Sequence, residues 1–149
     1  MRSKRISPPA CLFISICTMA LLHFIVPISA YVQYPWTLLG IIPLAAGGYL
    51  NLSADSAFRK ARTTVKPFEM STALITTGVF RLTRHPMYLG MVLILCGLAI
   101  FMGTITPLII IAIFAILMEM VFVRTEERML EHQFGSAWIS YRNKVRKWL

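Results

Sequence analysis

Acidic charge is scarce in this chain, and charge of either sign is absent from long stretches of it. Six Asp and Glu face 15 Lys and Arg, and charged residues make up 14% of 149 residues. Soluble domains carry nearer a quarter. With 57% hydrophobic residues, this composition excludes an ordinary soluble domain and indicates one small integral membrane domain. Histidine is also scarce. Three histidines are too few for the histidine boxes of membrane di-iron enzymes, and no HExxH occurs, so no metal site is expected. Cys11, Cys17 and Cys96 lie in apolar runs without a CxxC spacing, and read as reduced packing residues. No internal repeat or low-complexity tract is present.

What remains is apolar. Four runs, at about 10–32, 36–53, 86–102 and 107–123, approach the ~20 residues needed to cross a bilayer. The expected fold is all-α integral membrane: four transmembrane helices in two tight hairpins plus a cytoplasmic C-terminal helix. All 15 basic residues fall on one side of this arrangement: the N-terminus, the 54–85 link and the 124–149 tail. The turns at 31–35 and 103–106 carry no charge. The positive-inside rule then puts both termini in the cytoplasm. Tyr31, Tyr34 and Trp36 suit an aromatic belt at the outer face. The net charge of +9 fits anionic lipid headgroups. It does not indicate nucleic acid, because the basic residues flank spans and no nucleic-acid motif occurs. The N-terminus resembles a signal peptide, but its apolar run is too long and Ile28-Ser29-Ala30 is a poor cleavage site, so an uncleaved first span is expected.

Finer patterns add detail. Residues 54–62 either continue the second helix or bend onto the headgroups, and Pro67 interrupts the link. Gly40 and Gly47, and Gly90 and Gly97, are each seven residues apart, which puts each pair on one helix face and allows close packing. For Gly90 the alternative is backbone approach to a ligand. Phe134, Trp138, Tyr141, Val145 and Trp148 form an apolar stripe on the tail, for packing on the membrane or the bundle, with a break at Gly135. His23 reads as a packing histidine.

Two polar clusters compete for function: Arg81, Arg84, His85 and Tyr88, and Arg124, Glu126, Glu127, Glu131 and His132. In a four-span topology both lie at the cytoplasmic edge and can share a pocket. Pro86 suits the first helical position. The N–H groups after it have no intrahelical partner and favour an anion, as does Arg84. Taken singly, each residue also has an inert reading, as a snorkelling arginine or a solvated glutamate. A small four-span exporter is the non-enzyme rival, but the first three runs contain no acid, and Glu119 lies about a turn from the cytoplasmic end.

The run Thr77-Gly78-Val79-Phe80-Arg81-Leu82-Thr83-Arg84-His85-Pro86-Met87-Tyr88-Leu89-Gly90 resembles the signature of isoprenylcysteine carboxyl methyltransferases and related small phospholipid methyltransferases. Arg124-Thr125-Glu126-Glu127, Leu130, Phe134-Gly135, Tyr141 and Val145 resemble its second half. The resemblance spans about 63–149. It implies a single membrane methyltransferase domain over 1–149 in a prokaryotic cytoplasmic membrane. It implies S-adenosylmethionine as methyl donor, held by His85, Tyr88, Gly90, Glu126 and Glu127. The acceptor is a lipid or prenylated small molecule entering from the bilayer, with Arg84, Arg124 and Glu127 as catalytic candidates. Carboxyl O-methylation is the favoured reaction, and ethanolamine-lipid N-methylation the alternative. Arg146 stands where the family carries a proline after the valine, which leaves closure of the cofactor site open. Oligomeric state is not legible.

Overall fold

Two prolines at the first positions open helix α1, Pro8–Ile25, where their missing N–H groups lose nothing. In this computed structural model the described residues are 7–26, 30–64 and 71–149; Arg2, Lys4, Arg5, Lys66 and Pro67 lie outside them. The expected first span runs too far. Val26 leaves the helical region, with φ −134° and ψ 68°, as expected for a residue followed by proline. Beyond it, the Tyr31 and Val32 N–H groups bond the Gly103 carbonyl at 2.9 and 3.3 Å. A 3₁₀ turn at Trp36–Gly40 leads into α2, Ile41–Lys60. The continuation past residue 53 is as expected, and an Asp55–Arg59 pair at 2.8 Å supports it. A second 3₁₀ turn, Gly78–Arg81, buries Val79 and Phe80 and feeds α3, Pro86–Met102. Gly103 ends α3 at φ +67°, a left-handed cap that suits glycine.

Helix α4, Thr106–Leu117, continues through a π segment, Met118–Val123, into α5, Arg124–Phe134. The tail therefore begins as an extension of the last apolar helix, with no break at 123. Gly135 turns the chain at φ +51° into α6, Ser136–Lys144. The described residues form no strand, only a single bridge between Ala30 and Thr104. Among the described residues, three helices are long and apolar enough to cross a membrane: Pro8–Ile25, Trp36–Lys60 and Thr106–Phe134. Pro86–Met102 is a shorter apolar helix of 17 residues. Phe13, Phe24, Ile42, Leu52, Ile109 and Ile116 are among many large apolar side chains left exposed. Outward apolar surface on this scale is what lipid contact requires.

Of the two expected hairpins, α3 and α4 pack together and α1 and α2 do not. Helix α2 packs along α3, whereas α1 packs on α4 and α3. The first two helices, adjacent in sequence, diverge in space. Two local causes account for this. Gly47 and Gly40 lie against Gly90 and Gly97, so close that a methyl on Gly47 would sit 2.4 Å from the Gly90 carbonyl oxygen. This seam commits α2 to α3. At the opposite end of the molecule from His85, His23 Nδ1 meets Thr104 Oγ1 at 2.9 Å and the Thr106 hydroxyl donates to the Val26 carbonyl at 2.7 Å, which ties α1 to the turn before α4. His23 is thus the packing histidine expected. One apolar core joins α1, α3 and α4 around Met19, Leu95 and Met118, and a second joins α2, the link and α6 around Leu50, Phe80 and Trp138.

Candidate active site

The site is built on the start of α3. Thr83 is fully buried. Its hydroxyl donates to the Lys147 carbonyl at 2.8 Å and accepts the His85 N–H at 3.2 Å. The Arg84 N–H bonds the Arg146 carbonyl at 3.0 Å. The chain's last residues are therefore strapped beneath the helix start. Pro86 opens α3 and holds His85 just outside it. Helix α5 then brings Glu126 and Glu127 alongside.

Each glutamate has its own task. Tyr88 donates its hydroxyl to Glu126 Oε2 at 3.0 Å, and His85 Nδ1 lies 3.9 Å from the same oxygen. Glu127 Oε1 faces His85 Nε2 at 3.3 Å and Arg84 Nη2 at 3.2 Å, while its Oε2 faces Lys147 Nζ at 3.4 Å. Burial alone would raise the Glu127 pKa. The hydrogen bond from His85 and the charges of His85, Arg84 and Lys147 outweigh it and hold the carboxyl below its ordinary value. Burial raises the Tyr141 phenol to about 12 against the opposing charge of Arg84. Its hydroxyl donates to the Phe80 carbonyl at 2.6 Å, which holds α6 against the link.

A cavity of about 250 Å³ lies above this cluster, between Ser7–Pro9 at the foot of α1 and Phe58 near the end of α2. Arg84, His85, Tyr88, Met91 and Glu126 line it. It is just under the usual ~300–1,000 Å³ of ligand sites.

The sequence candidates divide. Arg84, His85, Tyr88 and Glu126 line the cavity together. Glu127 is not among the lining residues and stands behind His85 and Arg84. Gly90 is turned toward α2, where a methyl would lie 2.3 Å from Asn51 Nδ2. It is a packing glycine in this structure. Arg124 does not reach the cavity either. Its side chain is 58% exposed and pairs with Glu119 at 3.7 Å. Glu119, inside the π segment, also takes Lys147 at 2.9 Å. Sequence reasoning missed Lys147, Thr83 and Trp138. A lysine and a threonine carry no local signal of this role, and Trp138 was visible only as part of an apolar stripe.

Residues 35–137, more than half of the chain, match the phospholipid methyltransferase family. The chain belongs to that family. It is also 33% identical over 63 residues to an uncharacterised protein of Haemophilus influenzae, covering 42% of this chain and 100% of that protein. Membership, with the three long apolar helices, indicates a multi-pass membrane methyltransferase for lipid-like substrates. The helix start and the glutamate pair are the polar edge on which such chemistry can be built.

Proposed function

We propose that the chain transfers a methyl group from S-adenosylmethionine to the carboxylate of an isoprenylcysteine-like amphiphile at the cytoplasmic face of a membrane. The observation that carries this reading is Arg84. Its side chain is 8% exposed. It lines the cavity and keeps Nε and Nη1 without partners. Such an edge suits a planar carboxylate.

The donor's chemistry fits the remaining residues. Glu126 can accept from ribose hydroxyls or an ammonium, and the start of α3 suits a carboxylate. The Tyr88 ring offers its face to a sulfonium. Bound there, the cofactor would supply an electrophilic methyl group. Glu127 holds Arg84 and Glu126 holds the Tyr88 hydroxyl in place, and burial excludes water. A carboxylate acceptor is already ionised at neutral pH, so the residues' task is positioning. The divergence of α1 and α2 supports sideways entry of the acceptor, with its chain left in the bilayer.

N-methylation of an ethanolamine phospholipid is the second reading, favoured by the matched family's description. An ammonium acceptor must lose a proton. Glu127, held ionised by three cationic or donor neighbours, is a poor base; Glu126, on the cavity wall, is better placed.

The test is methyl-labelled S-adenosylmethionine with purified protein and a lipid extract. Base-labile label in the organic phase is the expected product, and base-stable label selects the amine reading. No lipid-borne label overturns both.

A further inference from the structure

Among the described residues, three buried donors have no acceptor: Nε and Nη1 of Arg84 and Nε1 of Trp138. Trp138 is 1% exposed. The guanidinium lies over its ring, 5.6 Å from the centroid. Both side chains line a small cavity of about 30 Å³ that shares Phe58, Phe80, Arg84 and Glu126 with the main one. Buried N–H groups are rarely left unpaired, because each loses its water without gaining a partner. No neighbouring acceptor reaches these three donors. The Tyr141 hydroxyl serves the Phe80 carbonyl. Glu126 Oε2 takes the Tyr88 hydroxyl, and Glu127 faces Arg84 through Nη2 alone.

Two donors on a cation beside one on an indole call for an anion with more than one oxygen. Resting on the lipid-acceptor reading, we propose that the free edge of Arg84 and the Trp138 indole N–H form an oxyanion subsite for the acceptor's head, a carboxylate or phosphate. The pocket is small beside the 250 Å³ cavity whose wall it shares, so it takes the end of a head that reaches in from there. Trp138 is then a specificity-determining residue: it selects acceptors whose head bears an oxyanion.

The experiment reads indole N–H signals by NMR on detergent-solubilised protein. Trp36, Trp138 and Trp148 are the chain's tryptophans, and Trp138→Phe assigns the signal while keeping an aromatic ring beneath Arg84. The probes are S-farnesylcysteine, its neutral methyl ester, micellar phosphatidylethanolamine, inorganic phosphate and S-adenosylmethionine. The Trp138 signal is expected to shift with the farnesyl acid, or with the phospholipid if phosphate is the native oxyanion, and not with the ester. Trp138→Phe is expected to weaken binding of that same lipid roughly 10- to 100-fold, as for a hydrogen bond to a charged group, with S-adenosylmethionine affinity unchanged. A shift produced by S-adenosylmethionine or inorganic phosphate alone overturns the assignment, as does a silent Trp138 signal, which would mean a trapped water. The signal needs no turnover. A protein that binds the acid here but transfers no methyl group therefore refutes the enzyme reading alone, and one that methylates with Trp138 silent refutes the subsite alone.

Discussion

At the scale of single residues, the site is an exchange of charge among a few partly buried groups. Glu127 is the hub, because Arg84, His85 and Lys147 all meet it within 3.4 Å. Removing it leaves buried cations uncompensated. Glu127→Ala and His85→Ala are each expected to weaken S-adenosylmethionine binding by about 1.5–3 kcal/mol at unchanged helical content, as read by calorimetry and circular dichroism. Unaltered affinity in both would make the cluster purely structural. The pH dependence follows from the same contacts. The Glu127 pKa is lowered from an ordinary 4.5. Its stabilisation is therefore fully present above about pH 4.5 and is lost as pH falls through the folded value. Thermal melts of wild type and Glu127→Gln should differ most at neutral pH and converge in acid; a constant gap would contradict this. Arg124 stands apart. Its exposure predicts that Arg124→Ala leaves carboxylate methylation within a few-fold of wild type, whereas Arg84→Ala abolishes most of it.

At the scale of elements, two joints hold the site: the glycine seam between α2 and α3 and the C-terminal strap. The seam explains why Gly90 belongs to packing. A methyl at Gly47 or Gly90 would meet backbone or Asn51 within 2.4 Å, and overpacking of this kind costs about 1–3 kcal/mol. Gly48, one residue along, faces open space, and a methyl there would meet nothing within 4 Å. Gly48→Ala should be neutral or stabilising, since alanine is the better helix former, while Gly47→Ala lowers the melting temperature in detergent. Equal effects would argue against the seam. The strap fixes Arg146 and Lys147 against the start of α3. The Arg146 and Lys147 carbonyls bond Arg84 and Thr83 directly. The glycine spacing and the Gly135 break were legible in the sequence because both are local. The strap was not, because its partners lie more than sixty residues apart.

At the scale of the whole molecule, α1 packs on α4 and α3 while α2 packs on α3, and the foot of α1 and the end of α2 both line the cavity beside Arg84. If acceptors enter there from the bilayer, affinity should rise roughly fourfold per methylene, the equivalent of about 0.8 kcal/mol. A short water-soluble acid methylated as well as its lipidated analogue would disprove lateral entry. The proposed orientation has its own check. Cysteines near Gln33 and Thr104 should react with an impermeant reagent from outside, and one at Lys144 should not. Outside labelling at Lys144 would invert the topology.

Composition and short motifs by themselves determined an all-helical, membrane-embedded chain with a polar edge at Arg84-His85-Pro86 and Glu126-Glu127. These follow from hydropathy, from helix-start chemistry and from spacing, all of which act within a few turns. Tertiary structure alone decided which candidates share a wall. It sent Gly90 to α2, Arg124 to the surface and Glu127 behind the cavity, and it brought Trp138 and Lys147 in. Those outcomes depend on the α2–α3 seam and the anchoring of α1, where steric fit between distant segments, rather than residue type, sets the direction each side chain takes.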